Sequence, residues 1–266
     1  MCTPMEILTP RQADILNGVV EAHIETSGPV GSHYIIKKYA IPVSSATIRN
    51  EMGALEEMGY LTHPHTSSGR VPTDSGYRYY LDHASFADVM PESLCLQVAR
   101  ELSQNYQEQR EIGVFLEKVT SMLSSMTREI GLSLSMAPEP GLDQKIEDLR
   151  LSLQGLTHIL EKPEFQDINK LRTLLKTLEE KIVLKQWLLK QAQESQVSVS
   201  VGREHESQAL ENCAIVTARY SAGEMGTGVI AILGPKRMPY RRLVPLVSRV
   251  AELMEAFFTE HEEFDT

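Results

Sequence analysis

The sequence predicts an α+β protein with a helix-rich first module and a larger mixed body. Two observations predict this fold class. In the first 58 residues, apolar side chains recur at helical spacing, and capping and breaking residues separate the segments. Near residue 200, apolar and polar residues alternate with the period of a strand, and two more apolar runs follow. Strands covered by helices are therefore expected in the second half of the chain.

Two helices are predicted at the start of the first module. The segment Thr9–Gln12 is a strong helix start, because Thr can cap, Pro suits the first helical position and Gln completes a capping box. This helix is expected to end at Ser27–Pro29. A short second helix fits Ser32–Tyr39, before Ile41-Pro42 breaks the chain.

A third helix is predicted from Ser44 and Ser45, both natural N-caps, to about Met58. One of its faces is apolar and expected to be buried, and it carries Ile48, Met52 and Leu55. The opposite face combines small residues with polar donors, and it carries Ala46, Asn50 and Gly53, flanked by Thr47 and Arg49. A helix that lies in the major groove of DNA needs this composition, because small residues permit close approach while Arg and Asn reach base edges.

A β-hairpin is predicted directly after this helix. Tyr60–His63 and Val71–Thr73 have strand character, and the intervening Pro64–Arg70 is polar and rich in turn residues. A further helix is expected to begin near Thr73. Three helices followed by a hairpin form the winged helix-turn-helix layout. Hydroxyl groups, backbone N–H groups and one guanidinium at the hairpin tip suit contact with phosphate or with the minor groove.

The predicted DNA-binding residues therefore lie at the third helix and in the hairpin loop. They are Ser44, Ser45, Thr47, Arg49, Asn50, His65, Thr66, Ser67, Ser68, Gly69 and Arg70.

The charge of the chain does not by itself favour nucleic acid. The formal net charge is −10, and residues 1–85 contain six Lys or Arg against nine Asp or Glu. DNA binding therefore depends on where the cations lie, and these are Arg11, Lys37, Lys38, Arg49, Arg70 and Arg78. Some winged helices bind proteins instead of DNA, so the pattern alone leaves both functions open.

The middle of the chain is predicted to be helical. From Pro91 to about Arg128 helical spacing dominates, and this segment links the first module to the body. A helix that ends before Pro163 is predicted from the apolar stripe Ile146, Leu149, Leu153, Leu156 and Leu160. A further helix is predicted from the apolar stripe Ile168, Leu171, Leu175, Leu178 and Ile182, and Trp187–Leu189 widens this apolar surface. The stripe on this further helix has two interpretations, a core-facing helix or a subunit contact.

The last third of the chain is predicted to contain strands followed by a helix. The strands are Val197–Val201, Cys213–Tyr220 and Thr227–Leu233, with a hairpin at Ser221–Gly226. A final amphipathic helix is expected over Tyr240–Phe258. These patterns divide the chain into a head (1–85), a helical linker with the start of the body (86–136), and the rest of the body (137–266).

We expect no catalytic residue, cofactor or metal ion. Gly226–Ala231 superficially matches a dinucleotide fingerprint, but a strand follows the glycines where the fingerprint needs a helix. His63 and His65 lack the further ligands of a metal site. The three cysteines are widely spaced, and no signal peptide or apolar run of about 20 residues is present. A cytoplasmic protein that does not enter a membrane is expected.

Several long segments resemble the HrcA family of heat-inducible transcription repressors. In the first module they are Gly28–Ser32, Ser44–Met52, Pro64–Thr73 and Gly76–Tyr80, and in the body they are Lys162–Phe165, Val201–Glu204 and Ile232–Tyr240. The resemblance implies a homodimer that binds double-stranded DNA at an inverted-repeat operator of the CIRCE type, ahead of chaperone operons. It also implies that the chaperonin GroEL modulates the repressor, and that heat stress releases it from DNA.

For the fold, the resemblance implies a GAF-like α+β body that carries an inserted dimerisation segment. Members of the family are usually longer, with a strand-rich stretch between what are here Pro138 and Leu149. The inserted segment is therefore expected to be shortened or atypical. The alternative function is a ligand-sensing or protein-docking module, in which the winged helix contacts a partner and the GAF-like body binds a small molecule.

Overall fold

The computed structural model describes residues 8–39, 43–64, 69–86, 91–108, 112–136, 146, 149–223 and 226–262. The chain divides into two compact units. The first is Met1–Ser85 with Lys236–Pro239, and the second is Phe86–Pro235 with Tyr240–Thr266. Within the described ranges, no helix combines the length and apolar character that a bilayer crossing needs.

The first unit begins with three helices, α1 (Pro10–Thr26), α2 (Ser32–Tyr39) and α3 (Ser45–Glu57). The predicted capping box is confirmed at α1. The Thr9 Oγ1 accepts from the Gln12 backbone N–H, and the Gln12 Oε1 accepts from the Thr9 backbone N–H. The predicted bounds of α2 are also confirmed. These local signals are strong because they satisfy backbone groups that a helix end leaves unpaired.

A small sheet and a fourth helix complete the first unit. Strands β1 (Leu61–Thr62) and β2 (Val71–Pro72) pair antiparallel, and α4 (Asp74–His83) follows. Three residues of α4 are buried: Tyr77, Tyr80 and Leu81. They pack in a core with apolar side chains of α1 and α3, so the hairpin and the helices share one hydrophobic centre.

The second unit is built on an antiparallel sheet, which makes the protein α+β. Its described strands are β3 (Ile130–Met136), β4 (Arg150–Gln154), β5 (Val197–Val201), β6 (Cys213–Ser221) and β7 (Thr227–Pro235). They are ordered β4-β3-β7-β6-β5 across the sheet. The three strands predicted in the last third of the chain are confirmed, and β6 and β7 form the predicted hairpin.

Helices cover both faces of this sheet. They are α5 (Glu92–Glu108), α6 (Ile112–Thr127), α7 (Leu156–Leu160), α8 (Ile168–Glu179), α9 (Lys181–Glu194) and α10 (Tyr240–Glu262). Thr120 of α6 donates to Ser133 of β3 on one face. The neighbouring residues Leu132 and Leu134 join a cluster with side chains of α8 and α9 on the other face, as strand alternation requires.

The helix predicted from Ile146 to Leu160 is wrong at its centre. Residues Arg150–Gln154 form β4, and within the described range 149–160 only Leu156–Leu160 is helical. The leucines also alternate with polar residues, which is the period of a strand, and pairing with β3 decides between the two periods. No strand is predicted at β3, which follows the helical stretch that ends at about Arg128, although Ile130, Leu132 and Leu134 alternate with small residues there.

The single helix predicted through Ile168 and Ile182 is also wrong. The chain ends α8 at Glu179 and begins α9 at Lys181. The core-facing interpretation holds for Leu178, which is buried, whereas Ile168 and Ile182 at the two ends of the stripe are exposed. The break turns a different set inward, because Leu174, Leu184 and Leu188 fill the core instead.

Candidate nucleic-acid interface

Hydroxyl groups hold the first turn of α3. Ser44 is its N-cap, and the Ser44 Oγ accepts from the Thr47 backbone N–H at 3.1 Å and lies 2.9 Å from the Thr47 Oγ1. The Ser45 Oγ lies 3.0 Å from the Ser32 Oγ, at the start of α2. These contacts fix the start of α3 against α2, so the predicted residues Ser44, Ser45 and Thr47 have structural partners.

The two faces of α3 differ as the sequence predicts. Ile48, Met52 and Leu55 are buried. Arg49 and Asn50 are exposed on the other side, and among the described residues neither side chain has a hydrogen-bond or ion-pair partner.

Small residues surround these two donors. Ala46 lies one turn before Asn50 and is exposed, while Gly53 lies one turn after Arg49. A Cβ added at Gly53 meets no atom within 4 Å, so the surface there is open. The helix therefore presents two long donors between positions with almost no side chain, which lets another surface approach its backbone.

Most cations of the first module are paired with carboxylates. The pairs are Arg11 with Glu51 at 3.6 Å, Lys38 with Glu25, Arg70 with Glu56 at 2.7 Å, and Arg78 with Asp82 at 3.1 Å. In the part of the chain that the structure describes, Arg49 and Lys37 have no such partner. Although residues 1–85 carry a net negative charge, two exposed cations, one on α3 and one in the last turn of α2, remain available to an anionic ligand.

Arg70 lies at the base of the β1–β2 loop. Its backbone N–H donates to the Val30 carbonyl at 2.9 Å, and the Val30 N–H donates to the Arg70 carbonyl at 2.8 Å. Its Nε lies 2.7 Å from the Glu56 Oε2. The sequence pattern predicts a guanidinium at the hairpin tip, whereas the structure places it beside the start of β2 and against the end of α3.

Gly69 explains why the chain runs so close to Val30. A Cβ at this position lies 2.5 Å from the Val30 carbonyl carbon and oxygen, so only glycine fits without a backbone shift. The predicted contact residues His65, Thr66, Ser67 and Ser68 lie outside the described residues.

Glu56 is the site residue that sequence reasoning missed. It lies near the end of α3, and its carboxylate contacts both Arg70 and His63. Partial burial acts to raise the pKa of Glu56, but the hydrogen bond from His63 and the charge of Arg70 outweigh it and hold the pKa below its ordinary value. No signal in the local sequence predicts this contact, because His63 and Arg70 follow Glu56 by 7 and 14 residues.

The chain matches known proteins over most of its length. The family model described as HrcA protein C terminal domain matches residues 96–244. The heat-inducible transcription repressor HrcA of Thermodesulfovibrio yellowstonii (strain ATCC 51303 / DSM 11347 / YP87) is 30% identical over 336 positions, which cover 92% of this chain and 96% of that protein. The protein of the same name from Shouchella clausii (strain KSM-K16) is 29% identical over 333 positions, covering 92% and 97%.

These alignments are longer than this chain, which has 266 residues. The relatives therefore carry residues that have no counterpart here, as the expected shortening requires. A crystal structure described as a hypothetical protein at 2.2 Å resolution shares the fold, with a TM-score of 0.70, 20% identity and coverage of 95% of this chain and 98% of that one. The family model and the relatives together show that this chain belongs to the HrcA family of heat-inducible transcription repressors.

Proposed function

We propose that this protein is a sequence-specific repressor of heat-shock genes that binds an inverted-repeat operator of the CIRCE type. The observation that carries the proposal is the exposed pair Arg49 and Asn50, which have no partner among the described residues and lie between the small residues Ala46 and Gly53. In this assignment the first unit is a winged-helix DNA-binding head, and α3 is its recognition helix.

Base reading is assigned to the two donors on α3. An arginine pairs bidentately with the O6 and N7 of guanine, and an asparagine pairs with the N6 and N7 of adenine in the major groove. Arg49 and Asn50 begin the second turn of α3, and recognition helices enter the groove through their N-terminal residues.

The backbone of the DNA is held by residues around this helix. Ser45 and Thr47 lie beside the donors in the first turn, where hydroxyl and backbone N–H groups suit phosphate oxygens. Lys37 supplies an exposed cation on α2. In the hairpin loop, we assign contact with phosphate or the minor groove to His65, Thr66, Ser67, Ser68 and Gly69. Arg70, whose guanidinium already pairs with Glu56, belongs to the stem of this loop.

Two heads are needed to read an inverted repeat, so the functional unit is a homodimer. A two-fold symmetric protein presents its recognition helices to half-sites one helical turn, or a multiple of it, apart. In the second unit, a GAF-like body with a shortened insert, Ile168 and Ile182 leave apolar surface exposed at the starts of α8 and α9. These two exposed positions are the candidates for the subunit contact.

Release on heat stress is the regulatory part of the proposal. Domains of ordinary stability lie only about 5–15 kcal/mol below the unfolded state. Warming therefore reduces the fraction of competent repressor, and binding by the chaperonin GroEL restores it. If the operator affinity of the purified protein is indifferent to both temperature and chaperonin, this part of the proposal fails.

A gel shift tests the DNA-binding assignment directly. The purified protein is titrated onto an inverted-repeat duplex and onto a scrambled duplex at physiological salt. We expect a preference of at least about a thousandfold for the inverted repeat. Equal affinity for the two duplexes contradicts the assignment.

A second candidate function is favoured by a cleft of about 640 Å³ in the second unit. Six leucines line it, Leu151, Leu153, Leu156, Leu160, Leu175 and Leu178, and Glu117, Glu179 and Lys181 also border it. Its size suits a small apolar molecule with a charged end, so a ligand-sensing or protein-docking body is the alternative. A ligand that raises the melting temperature of wild-type protein, but not of a variant with Leu160→Gln at an exposed position of the cleft, distinguishes this function from DNA binding alone.

A further inference from the structure

Glu56 connects the end of α3 to both ends of the β1–β2 loop. Its Oε1 contacts the Nδ1 of His63, the residue that follows β1, and its Oε2 lies 2.7 Å from the Nε of Arg70, the residue that precedes β2. One carboxylate on the recognition helix therefore holds the two points at which the loop leaves and re-enters the sheet.

Arg70 is fixed through its backbone as well as its side chain. Two hydrogen bonds join it to Val30, and Gly69 lies too close to Val30 to accept a Cβ. The guanidinium then reaches back to α3. This arrangement orients the stem of the loop relative to the helix that carries Arg49 and Asn50, which lie about 9–11 Å along the helix axis from Glu56.

The ion pair is partly shielded from solvent. The side chains of Arg70 and Glu56 are 26% and 23% exposed, so salt screens this pair less than the exposed pairs of the first module. The net effect of the neighbouring groups lowers the pKa of Glu56 and keeps its carboxylate ionised to lower pH than usual. Because the Arg70 guanidinium pairs with this carboxylate, its positive charge contributes little attraction for phosphate.

We propose that Glu56 and Arg70 form a positioning pair that sets the loop stem against the recognition helix. Arg70 thus promotes operator binding by positioning the loop stem and not as a phosphate contact. The inference rests on the proposed DNA-binding function and assigns within it two residues that act through others.

The test uses the whole chain with four variants: Glu56→Gln, Arg70→Ala, the double variant and the control Glu57→Gln. The control removes the same charge from the adjacent, exposed carboxylate. Affinities for an inverted-repeat duplex and a scrambled duplex are measured over a range of salt concentrations. We expect each single substitution to weaken operator binding roughly tenfold and the double variant to lose no more, because the two residues act as one unit. Glu57→Gln keeps the operator affinity of the wild type.

Salt dependence separates positioning from phosphate contact. The slope of log affinity against log salt is expected to stay unchanged in Arg70→Ala, and a slope smaller by about one overturns the proposal. Tighter binding by Glu56→Gln, which would release Arg70 toward the DNA, also overturns it, as do additive losses in the double variant.

Amide hydrogen exchange reports on the stem without DNA. In Glu56→Gln we expect faster exchange at the Arg70 and Val30 amides, with unchanged protection in α1. Arg70→Ala leaves Glu56 paired with His63, so it replaces Glu56→Gln in this measurement if Glu56→Gln folds poorly.

The failure of the proposed function and the failure of the positioning pair give different results. A wild-type protein without operator preference contradicts the proposed function itself. Operator preference in the wild type, with Glu56→Gln and Glu57→Gln indistinguishable, defeats only the positioning pair.

Discussion

The ammonium of Lys162 donates a hydrogen bond of 2.6 Å to the carboxylate of Glu129, which is only 3% exposed. Glu129 precedes β3 and Lys162 follows α7, so the pair joins the central sheet to the helical segment beside it. Removing one member of a buried ion pair is destabilising, because the remaining charge loses part of its compensation.

Lys162→Met is therefore expected to lower the free energy of unfolding by about 3 kcal/mol. Denaturant unfolding followed by circular dichroism measures this change. The matched control is Glu161→Gln, which removes the exposed neighbouring pair with Arg128 and is expected to change stability by less than about 0.5 kcal/mol. Similar effects of the two substitutions contradict the assignment of a buried pair.

Arg49→Ala is expected to weaken operator binding by about 1–3 kcal/mol and to reduce discrimination between operator and scrambled DNA. The reason is the loss of a bidentate base contact. Titrations against both duplexes measure it. Arg11→Ala is the control, since it removes the same charge from a residue that already pairs with Glu51. Equal losses on both duplexes for Arg49→Ala show that it does not read bases.

Lys37→Ala tests the second exposed cation. A phosphate contact attracts any duplex, so affinity should fall on operator and scrambled DNA alike, and the salt slope should decrease by about one. Affinities measured at several salt concentrations give the slope. A loss confined to the operator is the outcome that contradicts this role.

A substitution at Gly53 can test DNA contact without lowering the stability of the protein. It lies inside α3, and a Cβ at this position has open space around it. Gly53→Leu is therefore expected to stabilise the helix by up to about 1 kcal/mol, while the longer side chain blocks approach to the groove. We expect an equal or higher melting temperature together with a loss of operator binding of more than about tenfold, or about 1.4 kcal/mol. Gly53→Ala is the control and retains most of the affinity. Full binding by Gly53→Leu means that this face of α3 does not contact DNA.

The contribution of Glu56 to stability depends on pH. Its folded-state pKa is lowered, so the stabilisation is present above the ordinary glutamate range, near about pH 4.3, and is lost as the pH falls through the lower folded-state pKa. The stability difference between wild type and Glu56→Gln should be largest near neutral pH and shrink under acidic conditions. Urea unfolding at several pH values measures it, and a difference that grows on acidification has the wrong sign.

The sequence by itself determined the elements whose signals are local. The capping residues Thr9 and Ser44 and the stripe through Ile48 and Leu55 predict the helices of the first unit, because a helix end and a helix face are recorded within a few residues. The same stripe places Arg49 and Asn50 on the exposed side. Three of the strands in the second unit were predictable for a similar reason, since their alternation or apolar runs are uninterrupted.

Only the tertiary structure decided the elements and contacts that depend on distant residues. The leucines around β4 fit a helix or a strand, and pairing with β3, which precedes it in the chain, selected the strand. The tertiary structure likewise decides which residue pairs with Arg70. Its sequence neighbours suggest an exposed tip, but the packing of the first unit brings it to Glu56, and the carboxylate neutralises it there. Side-chain pairing over such separations leaves no local pattern, because it arises only when the core brings the two segments together.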